Sequence, residues 1–71
     1  MKEKIGETSG RIWQILQKKG ETNVLQLPRL LNEKSATVNQ AIGWLAREDK
    51  IEFRSVGAKT FISLTETEKN I

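Results

Sequence analysis

The chain has 71 residues, twelve Lys or Arg against nine Asp or Glu, and a formal net charge of +3. That length holds one small core, and the mild basic excess is compatible with a polyanionic partner. Cysteine, histidine and tyrosine are all absent, which excludes disulfides and thiolate metal sites and removes the commonest general base and the strongest nucleophile. No apolar run reaches the roughly 20 residues of a membrane span, and the N-terminal MKEKIGETSGR has no signal-peptide core. A soluble, cytoplasmic protein is expected.

Residues 3–19 are predicted as helix 1. Ile5, Ile12 and Leu16 define its buried stripe, with Trp13 and Ile15 on the flanks. Gly6 and Gly10 weaken its start, each by about 1 kcal/mol relative to alanine. Lys18 and Lys19 suit a helix C-terminus and Gly20 the position just past it.

Residues 21–24 read as a short extended piece, able to pair with a later hairpin as an edge strand. Residues 26–32 read as helix 2, with Leu27, Leu30 and Leu31 facing inward. Pro28 belongs in its first turn, where a missing N–H has no partner to lose. Residues 32–34 form the turn into helix 3.

Helix 3 begins at Ser35, a good N-cap residue. Val38, Ala41, Ile42, Leu45 and Ala46 fall at i, i+3, i+4, i+7 and i+8, one apolar stripe of a 3.6-residue helix. Asp49 and Lys50 break that period. Residues 51–55 and 60–64 then read as two strands joined by residues 56–59, where Gly57 supplies the positive φ of a tight hairpin. Phe53 shares a face with Ile51, and Ile62 with Leu64; alternation does not settle which face is buried. Residues 65–71 begin with Thr-x-x-Glu, a weak capping-box pattern, and are too short for an isolated helix, so a frayed tail is expected after a domain over residues 1–64.

The order helix, short strand, helix, helix, hairpin predicts an α+β fold, mostly α: a winged helix-turn-helix of three helices with a small antiparallel wing. Its expected core is Ile5, Ile12, Leu16, Val24, Leu27, Leu30, Leu31, Val38, Ala41, Ile42, Leu45, Ile51 and Leu64.

The segments GETSGRIWQIL, NVLQLPRLLN, VNQAIGWLAREDKI and FISLTETE resemble a family of small bacterial winged helix-turn-helix proteins known as a domain of unknown function. The resemblance covers nearly the whole chain, and GWLAREDKI is its most specific block. It implies the fold more firmly than an activity, because winged helices also serve as interaction and dimerisation modules. It brings no ligand and no catalytic residue.

Four groups of residues stand out. Thr37, Asn39, Gln40 and Arg47 lie off the apolar stripe of helix 3; Asn and Gln can pair with adenine and Arg with guanine. Lys34 and Ser35 at the helix start suit phosphate contact. Any surface helix carries a polar face, however, and this one has no basic residue before Arg47. Arg54 and Lys59 flank the wing tip and suit backbone or minor-groove contact, or guard a sheet edge. Arg29 can extend a basic strip toward Lys34.

Gly6, Gly10, Trp13 and Gln17 fall at i, i+4, i+7 and i+11 on helix 1 and form a possible self-association face. Glycine in the middle of a helix costs stability, so a close neighbour is expected at Gly43 of helix 3; packing of Trp44 under helix 1 or 2 is expected, and exposure for a partner is the sharper alternative.

Catalysis is not expected: Glu48 and Asp49 are adjacent, so a helix points them apart, and no phosphate-cradling loop or metal spacing is present. No cofactor, metal or small-molecule ligand is expected. The expected function is a DNA-binding module and small transcriptional regulator, reading double-stranded DNA through helix 3. The alternative is a protein-interaction or homodimerisation module that uses the winged helix as a scaffold.

Overall fold

The computed structural model describes the backbone of residues 2–69 and the side chains of residues 5–69. In chain order it contains α1 (Lys2–Lys19), β1 (Thr22–Asn23), a 3-10 turn (Val24–Gln26), α2 (Leu27–Leu31), α3 (Ser35–Arg47), β2 (Ile51–Val56), β3 (Lys59–Leu64) and α4 (Glu66–Lys69). The strands form one antiparallel sheet in the order β1-β3-β2. The extended piece after α1 pairs with the hairpin as expected, Thr22 opposite Ile62 and Asn23 opposite Phe61. No helix among the described residues is long and apolar enough to cross a membrane.

Helix endings are written into the sequence. Gly20, Asn32 and Asp49 follow α1, α2 and α3 with φ of 79°, 53° and 57°. After α2, Glu33 N–H donates to Pro28 O at 2.9 Å and Asn32 N–H to Arg29 O at 3.2 Å; after α3, Lys50 N–H donates to Leu45 O and Asp49 N–H to Ala46 O, both at 3.0 Å. These paired bonds satisfy the last carbonyls of each helix. Arg11 Nη2 also donates to Leu31 O at 2.7 Å, tying α1 to the end of α2.

Three local expectations are corrected. Ser35 is not the N-cap: Lys34 holds that place in extended conformation, no side chain caps the helix, and Ser35 is its first residue. Val24 is not in the strand, because the Asn23 side chain accepts from Leu25 N–H at 2.9 Å and turns the chain into the 3-10 segment. The hairpin loop is shorter than residues 56–59. Val56 pairs with Lys59, leaving Gly57 and Ala58 as a two-residue turn with Gly57 at φ 61°, the position where such turns favour glycine.

The core holds Ile12, Leu16, Leu27, Leu31, Val38, Ala41, Ile42, Leu45, Ile51, Ile62 and Leu64. Ile62, fully buried on the central strand, is the addition to the expected set. Leu30 is 44% exposed instead. With α2 only five residues long, Leu27 and Leu31 at i and i+4 take the inward positions, and Leu30 falls outside them. Ile5 and Val24 are half-buried. The buried face of the hairpin is that of Ile51, Ile62 and Leu64. Phe53 lies opposite Ile62 in register but is 53% exposed, because burial along edge strand β2 ends at Ile51.

The C-terminal segment is tied back to the domain. Thr65 N–H donates to Lys50 O at 3.0 Å and its hydroxyl to Asp49 O at 3.3 Å. Glu68 accepts from the Trp13 indole N–H at 2.9 Å, which ties α4 to α1. Residues 66–69 form one helical turn instead of the expected frayed end; Asn70 and Ile71 of that tail lie outside the described residues.

Candidate nucleic-acid interface

Helix α3 sorts its side chains by period. Val38, Ala41, Ile42 and Leu45 are buried. Ala36, Gln40, Gly43 and Arg47, at i, i+4, i+7 and i+11, run along the opposite side and are exposed. Asn39 is exposed on one flank of that front, while Thr37 and Trp44 lie on the other, Thr37 half-buried. Ser9 of α1 donates its hydroxyl to Ala41 O at 3.4 Å, which fixes α1 behind α3 and leaves the front uncovered.

The front is polar and sparsely charged. Lys34 and Ser35 are exposed at its N-terminal end and Arg47 at its C-terminal end. A side chain added at Gly43 would meet no atom within 4 Å. The expected close neighbour at Gly43 is therefore not found among the described residues, and the glycine leaves a gap between Gln40 and Arg47.

On the wing, the two expected basic residues are in different situations. Lys59 is exposed beside the turn, paired in register with Val56. Arg54 is engaged within the fold. Its guanidinium lies 5.4 Å from the Phe61 ring centroid, and its Nε donates to Glu21 Oε2 at 2.8 Å. Its Nη2 donates to the other oxygen of Glu21. That hydrogen bond, with the guanidinium charge, holds the Glu21 carboxyl below its ordinary range and raises Arg54. A bidentate pair of this kind fixes the plane of the guanidinium. Arg29 is exposed in the last turn of α2.

The helix 1 stripe is divided. Gly6, Gly10 and Trp13 line a groove of about 460 Å³ together with Trp44, Gln14 and Glu68. Gln17 instead lines a separate hollow with Gly20, Glu21 and Lys69. Trp44 does not pack under a helix as expected; it is 49% exposed beside α1. Its angular place on α3, next to the Ala41 side that faces α1, was the available signal for this groove. The part played by Glu68 depends on the return of the C-terminus and had no local signal.

Two helices joined by a short turn, with the second presenting an open face and a hairpin following it, define a winged helix-turn-helix domain. Residues 1–64 match the family model of the winged helix-turn-helix domain DUF2582, and the chain belongs to that family. Uncharacterized protein MJ1608 of Methanocaldococcus jannaschii is 49% identical over 51 residues, covering 68% of this chain and 71% of its own. That relative is archaeal, so the likeness is wider than the bacterial proteins expected.

Among solved structures, NMB1585, a MarR family regulator from Neisseria meningitidis, superposes with a TM-score of 0.80 at 23% identity, covering 89% of this chain and 46% of its own. The transcriptional regulator HlyU from Vibrio vulnificus does so with a TM-score of 0.80 at 23% identity, covering 90% and 67%. The chain thus spans roughly half to two thirds of the length of these regulators. At such identities the likeness is one of fold: a winged helix shared with transcription regulators.

Proposed function

We propose that this domain binds double-stranded DNA as a small transcriptional regulator, with α3 as its recognition helix. The observation that carries the reading is the uncovered stripe Gln40, Gly43 and Arg47 on the second helix of the helix-turn-helix, opposite the buried stripe. Asn39 and Gln40 suit adenine edges, and Arg47 suits guanine. Gly43 lets the helix backbone come close to a groove at that point. Lys34 and Ser35, at a helix start that no side chain caps, suit a phosphate. Lys59 suits the backbone beside the wing. Thr37 takes a rim position, and Arg54 is left to its contact with Glu21. No catalytic group, cofactor or small ligand enters this reading.

Replacing Gln40 and Arg47 by alanine tests it. Loss of a base contact costs about 1–3 kcal/mol of discrimination, and Lys34→Ala should weaken all sequences alike and reduce the salt slope by about 1. Unchanged affinity and slope in both variants would rule out this docking. A second reading, a protein-interaction module on the same scaffold, is favoured by one observation: Trp44 is 49% exposed in a groove beside Gly6 and Gly10. Its test is Trp44→Ala, which should leave DNA affinity intact and abolish capture of the partner.

A further inference from the structure

Nothing among the described residues requires glycine at position 43. Its φ is not in the left-handed region, where Gly20 and Gly57 lie. A Cβ at that position meets no atom within 4 Å. Glycine inside a helix is also less favourable than alanine. The gap it leaves is bounded along the exposed side of α3 by Gln40, one turn before, and Arg47, one turn after. Among the described residues neither of those side chains makes a hydrogen bond or an ion pair, so both are available to a ligand on that face.

The spacing of the three positions decides what a duplex presents to them. A helix rises about 1.5 Å per residue, so Gly43 lies about 4.5 Å beyond Gln40, and Arg47 about 10.5 Å beyond it. Base pairs rise about 3.4 Å each. With α3 lying along the major groove, Gln40 and Arg47 stand over pairs about three steps apart. Gly43 stands over the pair adjoining that of Gln40. Glutamine pairs bidentately with adenine, and arginine with guanine. Between them the base edges meet bare helix backbone. Its N–H and C=O groups are already bonded within the helix and offer nothing to a polar base edge. The thymine C5-methyl is the apolar group that bases carry into the major groove, and it fills a gap of one missing side chain.

Resting on the reading of α3 as a recognition helix, we infer that Gly43 is a specificity-determining position that selects a thymine methyl. The site it selects holds an adenine for Gln40, a thymine in the adjoining pair for Gly43, and a guanine for Arg47 about three pairs from the adenine.

Selection of bound sites from a random-sequence duplex library, with the full chain at low salt, tests the pattern. The selected duplexes should share an A·T pair and a G·C pair about three steps apart, with thymine in the pair adjoining the adenine. Uracil in place of that thymine removes only the methyl. The uracil duplex should bind about fourfold more weakly, the change expected for burying one methyl-sized group. Gly43→Ala fills the gap with its own methyl. That variant should bind the thymine and uracil duplexes equally, and the thymine duplex more weakly than the unmodified chain does. Failure to bind any duplex overturns the recognition-helix reading and this inference together. Three results overturn the inference alone and leave DNA binding standing: selected sites without the pattern, equal binding of thymine and uracil duplexes by the unmodified chain, or a thymine preference that survives in Gly43→Ala.

Discussion

Arg54 of β2 spans the sheet to reach Glu21 beside β1, passing 5.4 Å from the centroid of the Phe61 ring on the central strand. The contact links the far edge of the wing to the segment that leaves α1. Its acid dependence follows from Glu21, whose carboxyl is lowered by the hydrogen bond from Arg54. A lowered carboxyl contributes stability that is fully present above its unfolded-state value and is lost as pH falls through its folded-state value. Glu21→Gln removes that contribution at every pH. The melting temperatures of the unmodified chain and Glu21→Gln should therefore differ at neutral pH and converge in acid. A difference that is the same in acid as at neutrality would mean that the pair does not stabilise the fold.

Gly43→Ala separates folding from binding. Glycine within a helix is about 1 kcal/mol less favourable than alanine, and the added methyl would meet no atom within 4 Å. The variant should be more stable by about 1 kcal/mol, which raises Tm by about 4–8 °C in a domain of this size. If α3 enters a groove at Gly43, the same variant should bind DNA more weakly. A lower Tm would show that the position is not open in solution.

Two leucine-sized residues on short elements should respond very differently to truncation. Ile62 is fully buried on β3, and Ile62→Ala should cost about 2–5 kcal/mol. Leu30 is 44% exposed on α2, and Leu30→Ala should change stability by about 0.5 kcal/mol or less. Urea titration of both variants measures the contrast. Comparable losses would place Leu30 in the core after all.

The bond from the Trp13 indole to Glu68 holds α4 against α1. Glu68→Ala should speed amide hydrogen exchange at residues 66–69 and leave the interior of α1 protected. The net loss in global stability should be about 1 kcal/mol, as for one hydrogen bond. Unchanged exchange in α4 would show that the Thr65 bonds to Asp49 and Lys50 suffice to hold it.

Much of the fold was legible because the apolar period of α3 and the Gly20 ending of α1 are local signals. The same local rules missed Ser35, since the chain enters α3 one residue earlier through Lys34. Leu30 and Ile62 were misplaced for a different reason. Which face of a five-residue helix or a hairpin is buried depends on what packs against it, and alternation alone carries no such information. At the candidate site, the open stripe of α3 follows from its period, whereas the engagement of Arg54 could not be read locally. It depends on strand order bringing residues 21, 54 and 61 together. The groove beside Trp13 likewise depends on the C-terminus returning to α1.

The most direct measurement is a fluorescence titration of the protein with random-sequence duplex DNA at low and at physiological salt. If α3 and its flanking cations dock on DNA, binding is tight at low salt and weakens steeply as salt rises, with a logarithmic slope of about −0.9 per phosphate neutralised. Absence of binding at low salt would contradict the DNA-binding reading and leave the Trp44 groove as the face to probe.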